Sequence, residues 1–302
     1  MALDRSCARL LRMLAAADSA ADRTAAARRR ALSSLAEIAE AAPAGEVRIR
    51  DLEVWGGAGP IGARLYESGP GSALILYFHG GGWVAGGLDT HDGVCRRLAL
   101  ASGAKVLAAD YRLAPEHSFP AAFEDALAAA RWCAAQAGEL GADPARLVLA
   151  GDSAGAGLAA AVAQDPSAPP IALLALLCPI LDLAEASASR RAFAEGYFLD
   201  AATLAADLAD YAGAADLTDP RLSPGRTADL AGQPPTLIHT AAFDPFRDEG
   251  EAYAARLAEA GVRVQLTRHD GMIHYFYALT RLIPHGAAAL EALGAEIAAA
   301  LR

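Results

Sequence analysis

Short, almost uninterrupted apolar runs recur along this chain and alternate with longer stretches of helical periodicity. No other feature restricts its fold as much. The runs are 73–78, 105–109, 146–150, 171–177, 235–240 and 262–266. Each is too short for a stable helix and too uniformly apolar for a strand with one wet face, so each reads as a strand covered on both sides. Between them lie helical stretches near 91–102, 119–137, 157–164 and 247–260, and a last one at 284–301. Strand and helix in alternation give a mainly parallel, doubly wound α/β sheet with helices on both faces.

Two segments depart from the alternation. Val47 to Trp55 alternates apolar and polar residues, and a Gly/Pro-rich turn returns the chain through Ala63-Arg64-Leu65-Tyr66, the pattern of an antiparallel hairpin at a sheet edge. After Cys178-Pro179-Ile180 the chain spends 181–226 on polar turns and one short helix near 201–212, and an insertion of that length is usually functional. The first forty or so residues are helical, with Leu10, Leu11, Leu14 and later Leu32, Leu35, Ile38 at three- and four-residue offsets and a break expected at Asp18-Ser19. Residues 1–45 and 183–226 are therefore assigned to a helical cap over a catalytic domain spanning 46–302. Arg28-Arg29-Arg30 reads as a solvated helix face.

In open α/β sheets, ligands bind at the carboxyl ends of the strands, so the residues just after each run matter most. Gly151-Asp152-Ser153-Ala154-Gly155 follows the run 146–150 and opens a helix. Glycines two residues to either side permit a tight strand-to-helix turn that exposes the serine hydroxyl, although Gly and Ser also gather in ordinary turns. The helix start leaves unpaired N–H groups beside Ser153 that can bind a developing oxyanion. Earlier, His79-Gly80-Gly81-Gly82-Trp83 follows the run 73–78. Alone it is a flexible glycine loop; with the serine turn downstream it reads as the other half of an oxyanion hole.

A nucleophilic serine needs a base, and the base needs an acid to hold its tautomer. Of the 7 histidines, His117 ends the segment Tyr111-Arg112-Leu113-Ala114-Pro115-Glu116-His117, His239 lies inside a buried run, His91 and His285 sit at helix starts where capping or exposure is the ordinary explanation, and His79 supports the glycine loop. His269 is on or near the last strand. His274 lies beyond Gly271 in a loop, where a mobile imidazole belongs, and is the favoured base. Asp244 directly follows the run 235–240 and its extension, whereas Asp248 falls in a first helical turn, where an acidic residue ordinarily complements the helix dipole. The order Ser153, Asp244, His274 is that of α/β-hydrolases.

With these residues in view the chain resembles the hormone-sensitive-lipase-like α/β-hydrolases, which include the bacterial family IV esterases. The resemblance rests on His79 to Trp83 (HGGGW), Asp110 to Glu116 (DYRLAPE), the GDSAG turn, Asp244 to Gly250 (DPFRDEG) and Gly271 to Phe276 (GMIHYF). It covers nearly everything from residue 45 onward and implies an α/β-hydrolase fold with a mostly parallel eight-stranded sheet flanked by helices. It also implies a Ser153, Asp244, His274 triad, and an oxyanion hole from the N–H groups of Gly81, Gly82 and Ala154. The activity implied is hydrolysis of short- to medium-chain acyl esters through an acyl-enzyme, without metal or cofactor. An amidase or deacetylase using the same triad stays open, as does a small-molecule receptor, although the plant gibberellin receptors that resemble this family lack the histidine. Ala156-Gly157, Phe246 and Tyr275 depart from the usual pattern without removing a catalytic group. Trp83, Asp152, Tyr197, Phe198 and Tyr275 are expected to touch substrate.

A formal charge of −10 argues against a nucleic-acid partner, which is held by cationic side chains. No stretch is long and apolar enough to span a membrane, and charges at Asp4, Arg5, Arg9 and Arg12 interrupt any secretory apolar core. The 4 cysteines form no close pair and read as free thiols, so a cytoplasmic setting is expected. A homodimer through an apolar last strand is expected as well, and so is at least one cis bond among Ala114-Pro115 and Phe119-Pro120.

Overall fold

The computed structural model describes residues 2–17 and 22–302. Its strands are β1 (Arg48–Gly56), β2 (Gly59–Glu67), β3 (Leu74–Phe78), β4 (Lys105–Ala109), β5 (Leu147–Asp152), β6 (Leu173–Leu177), β7 (Thr236–Phe243) and β8 (Val264–Ile273). Its helices are α1 (Arg5–Ala17), α2 (Ala25–Ala39), α3 (Asp92–Ser102), α4 (Ala121–Gln136), α5 (Ala154–Gln164), α6 (Ala188–Ala192), α7 (Ala201–Tyr211), α8 (Arg247–Glu259) and α9 (His285–Ala300). The strands form an 8-stranded sheet in the order β1-β2-β4-β3-β5-β6-β7-β8. The β1–β2 hairpin is antiparallel and lies at one edge, β2 runs antiparallel to β4, and every other neighbouring pair is parallel.

The apolar runs other than 262–266, which carries exposed Arg263, Gln265 and Leu266 at the sheet edge, are buried on both faces because alternate residues enter opposite cores. In β3, Leu74, Leu76 and Phe78 join the core under α4, α5 and α8, while Ile75 and Tyr77 join the one under α3 and α9. Each such side chain contributes about 1.5–3 kcal/mol on burial, so a central strand with no polar position is held from both sides. Both Ala114-Pro115 and Phe119-Pro120 are cis.

Several boundaries differ from the sequence reading. α5 begins at Ala154 rather than Gly157, so Ser153 alone separates strand from helix. β8 runs on past Leu266, through Gly271 to Ile273, with a register irregularity opposite Ala241 to Phe243. His274 thus follows the strand directly. β8 lies at the sheet edge as expected, but it is not uniformly apolar: Leu266 is 42% exposed, and Arg268 on the same strand is ion-paired with Glu251. The break expected at Asp18-Ser19 lies outside the described residues.

The N-terminal helices and the inserted segment meet over the carboxyl ends of the strands. Asp4 N–H donates to Gly271 O at the end of β8, and Cys7 and Leu10 of α1 pack in the same core as Met272. Of the arginines of α2 expected on a solvated face, Arg30 is exposed, but Arg28 and Arg29 turn toward the protein. The Arg28 side chain is only 9% exposed and is paired with Asp207 and Asp210 of α7, and Arg29 reaches Val84 and Ala114 in the loops after β3 and β4. A helix lying over those loops meets polar backbone, which long cationic side chains satisfy while their stems stay buried. No helix among the described residues is long and apolar enough to cross a membrane.

Candidate active site

Ser153 stands between β5 and α5 with φ 53 and ψ −120, a conformation non-glycine residues seldom adopt. The flanking glycines make the turn possible by their lack of bulk. A methyl group on Gly151 would lie 2.6 Å from the Gly155 backbone, and one on Gly155 would lie 2.1 Å from the Phe78 carbonyl oxygen. The elbow packs directly against the end of β3, and this is how the loop after β3 comes to lie beside the serine.

His274 and Asp244 arrive from the last two strands. His274 Nε2 is 2.9 Å from Ser153 Oγ, and His274 Nδ1 is 2.8 Å from Asp244 Oδ2. Asp244 Oδ1 accepts the Phe246 N–H at 2.7 Å. Those partners assign the tautomer: Nδ1–H donates to the carboxylate, leaving Nε2 to accept from the serine. The three side chains are buried, Ser153 to 5% exposure and Asp244 to 0%. The Phe246 ring meets His274 edge-on at 5.4 Å, so the phenylalanine at that position packs against the base.

The loop after β3 has positive φ at three consecutive residues, Gly81 (121), Gly82 (63) and Trp83 (60). Val84 N–H and Ala85 N–H turn back onto Gly81 O at 3.2 and 2.9 Å. The N–H groups of Gly81, Gly82 and Ala154 donate to no acceptor among the described residues. Among the described residues, the non-glycine residues with positive φ, namely Trp83, Ser153, Cys178, Phe198 and Tyr275, lie in the loops and turns around this site. Such backbone persists only where the surroundings over-determine it.

Asp152 does not face a substrate. It is 0% exposed, and its carboxylate points into the protein. It accepts from Tyr77 Oη–H at 2.6 Å, Gly80 N–H at 3.0 Å and Tyr277 Oη–H at 2.9 Å, with His91 Nε2 at 3.3 Å. Burial alone would raise its pKa; the His91 charge and the hydrogen bonds from His91, Tyr77 and Tyr277 outweigh that and hold it below the ordinary carboxylate range. Asp152 thereby ties the start of the glycine loop to the serine strand. His91 was expected to cap α3 or to be exposed. It makes no side-chain cap bond and is 1% exposed, because Asp152 gives its ring a buried partner. The i+61 spacing of that pair carries no sequence signal. His79 Nδ1 lies 2.9 Å from Gly80 O, and its ring stacks on Tyr111 at 4.3 Å.

The aromatic residues expected near substrate are held by one another. Trp83 stacks on Tyr211 of α7 at 4.6 Å, Phe198 stacks on Tyr275 at 5.8 Å, and Tyr197 stacks on Phe243 at 5.8 Å. Trp83 and Tyr275 are 2% and 4% exposed, so both rings are packed rather than free in an open cleft.

Among the described residues, one group of metal-capable donors converges, Cys178 with Asp244 and His274, its ligand atoms within 4.8 Å of one another. It makes a poor metal site. The acid and the imidazole are already bonded to each other, and burial, followed by the Asp244 charge, pushes the Cys178 thiol well above its usual range, away from the thiolate a metal requires.

A family model described as the alpha/beta hydrolase fold matches residues 75–278. The chain is 43% identical over 249 residues to the esterase LipI of Mycobacterium tuberculosis, covering 79% of this chain and 78% of that protein. It is 41% identical over 218 residues to an ethyl acetate hydrolase of Pseudomonas putida, covering 70% and 68%. Among solved structures, the ester-hydrolase EH1AB1 from the metagenome of Lake Arreo, complexed with a bipyridine phosphonate derivative, is similar with a TM-score of 0.94 at 40% identity over 98% of each chain. With its serine elbow, glycine loop and Ser153, Asp244, His274 order all in place, the chain belongs to the α/β-hydrolase family, in its hormone-sensitive-lipase-like branch.

Proposed function

We propose that this protein is a serine carboxylesterase that hydrolyses short- to medium-chain acyl esters through an acyl-enzyme. The observation that carries the reading is the unbroken hydrogen-bonded line from Ser153 Oγ through His274 to Asp244, beside three N–H groups without acceptors. Ser153 Oγ attacks the acyl carbon as His274 Nε2 takes its proton, and Asp244 stabilises the imidazolium through Nδ1–H. Gly81, Gly82 and Ala154 donate to the oxyanion. His274 Nε2–H then protonates the departing alkoxide. In the second half, water gives a proton to His274 Nε2 as its oxygen attacks the acyl carbon, and His274 returns that proton to Ser153 Oγ as the acyl-serine bond breaks and the acid leaves.

Residues 1–45 and 183–226 act as a cap over the catalytic domain, and the packed rings of Trp83, Phe198 and Tyr275 bound the acyl pocket. Each buried methylene contributes about 0.8 kcal/mol, so affinity rises with acyl length until those rings stop it, at roughly two to eight carbons. The edge strand β8, with Leu266 exposed, supports a homodimer through that edge. The 4 unpaired, buried cysteines are compatible with a reducing, cytoplasmic setting.

A series of p-nitrophenyl esters from acetate to palmitate, set beside the matching anilides, tests the reading. Turnover of esters peaking at short to medium chains is expected. Faster anilide than ester turnover would make the protein an amidase, and no turnover of any acyl substrate would end the enzymatic reading. Light scattering that finds only monomer at micromolar concentration would end the dimer proposal.

A further inference from the structure

The consecutive arginines of α2 grip the glycine loop from two sides. Arg29 Nε donates to Val84 O at 2.8 Å and Arg29 Nη2 to Ala114 O at 2.9 Å. Glu116 accepts from both Arg29 terminal nitrogens, at 2.9 and 2.5 Å. Those two carbonyls belong to the loop itself and to its support. Val84 N–H closes the turn onto Gly81 O, and Ala114 N–H donates to Trp83 O at 2.9 Å. Arg29 thus completes a ring of hydrogen bonds that runs from Gly81 through Val84 and Ala114 to Trp83.

Arg28 works on the other side of the loop. Its guanidinium pairs with Asp207 and Asp210 of α7, and the Arg28 and Asp207 side chains are each only 9% exposed. Asp207 in turn abuts the loop: a methyl group on Gly82 would lie 2.2 Å from Asp207 Oδ2 and 2.4 Å from its Cγ. The carboxyl group therefore occupies the space a side chain at Gly82 would need. Burial pushes the Asp207 pKa up to about 7 even with Arg28 beside it, so without Arg28 the buried carboxyl would lose its partner and relieve the cost by taking up a proton or by moving, and either change loosens its hold beside Gly82.

The donors at Gly81 and Gly82 sit between these two grips, in a backbone with positive φ at 81, 82 and 83. Such a conformation needs external support, and donors aimed at an oxyanion act only if they are held before the charge develops. We propose that Arg28 and Arg29 are positioning residues for the oxyanion hole, acting from α2 through Asp207 on Gly82, through Val84 on Gly81 and through Ala114 on Trp83. The inference rests on the esterase reading, and it makes the N-terminal segment part of the transition-state machinery as well as a cover for substrate.

The test is kinetic, on the full chain. For Arg29→Ala, kcat on p-nitrophenyl acetate and on p-nitrophenyl hexanoate should fall by the same factor, about 10- to 100-fold, with KM little changed. Inactivation of Ser153 by diethyl p-nitrophenyl phosphate, whose phosphoryl oxygen would take the same N–H donors, should slow in the same direction. Arg29→Lys, which keeps one donor and the charge, should be intermediate, and it serves where the alanine variant folds poorly. Arg28→Met should act in the same direction. Unchanged kcat in Arg29→Lys, Arg29→Ala and Arg28→Met would overturn the proposal, as would a loss confined to KM that grows with acyl length. Absence of ester turnover by the wild-type chain would remove the parent reading and the clamp with it, and that result precedes any variant.

Discussion

Gly155 passes so close beneath Phe78 that a methyl group on it would lie 2.1 Å from the Phe78 carbonyl oxygen and 2.5 Å from that of His79. Both oxygens belong to backbone at the end of β3, which cannot give way without displacing the glycine loop. Gly155→Ala should therefore cost about 3 kcal/mol of stability, the upper end for overpacking, and lower kcat at least tenfold by shifting the oxyanion donors. Urea unfolding and ester turnover measured on the same preparation check both. A variant with unchanged midpoint and unchanged kcat would contradict the contact.

The triad residues act as a unit, so Ser153→Ala and His274→Ala should each lower ester turnover by about 10⁴ to 10⁶ with the fold intact. Asp244→Asn should cost about 10⁴, through the wrong imidazole tautomer. His269 is the internal comparison. Its ring contacts His239 and His285, each at 3.0 Å, and not Ser153, so His269→Ala should keep most of the activity.

Asp152 is a buried hub rather than a contact for substrate. Asp152→Ala would leave Tyr77 Oη–H, Tyr277 Oη–H and Gly80 N–H without their acceptor, a loss of about 3–5 kcal/mol. Because its folded pKa is depressed, the contribution of the carboxylate is present above the ordinary carboxyl range and is lost as pH falls through the folded value. The stability gap between wild type and Asp152→Asn should thus be constant near neutrality and shrink below about pH 4. A gap independent of pH down to 3 would contradict this.

A second pH effect has the same direction in a different window. Burial first, then the neighbouring His239 and His285, pushes the His269 pKa down to about 3. Glu296 accepts from His239 Nε2–H, which leaves His239 Nδ1 to accept from His269, so the buried rings are satisfied when neutral. The unfolded chain takes up the proton more readily, near pH 6.5, and His269 therefore costs stability as pH falls from about 6.5 toward 3. Urea denaturation at pH 7 and pH 5 should show the difference between wild type and His269→Gln shifting by about 2 kcal/mol in favour of the variant at the lower pH.

The cysteines offer a simple check on packing. Cys7, Cys95, Cys133 and Cys178 are free and buried, and burial, the leading cause in each, raises every one of these thiols, Cys7 to about 11. Ellman's reagent should label the native protein slowly and all 4 thiols at once after denaturation. Rapid labelling in the native state would show an opening the packing does not allow.

The alternation of strands and helices was legible in the sequence because it is a local property. A run such as Leu147 to Ala150, with no polar residue, already states that both faces are covered, whatever covers them. The serine turn and the placement of Asp244 after β7 were legible for the same reason, since a glycine two residues from a serine and an acid just past an apolar run are features of a few consecutive residues. Even there the boundary slipped: α5 starts at Ala154 because the helix begins as soon as Ser153 has turned the chain, and propensity alone does not register that.

What the sequence could not state is which element lies opposite which. Arg28 and Asp207 are 179 residues apart, and Arg29 and Ala114 are 85 apart, so a run of arginines on a polar helix looked like a solvated face. Asp152 sits within the serine motif and looked accessible, yet its direction is set by Tyr77, Tyr277 and His91, which only packing brings together. Periodicity within an element determines how much of it is buried. Whether a charge on it meets water, a backbone carbonyl or an opposite charge is decided by the element that tertiary structure lays against it, because electrostatic and hydrogen-bond energies depend on distances that one-dimensional order does not contain.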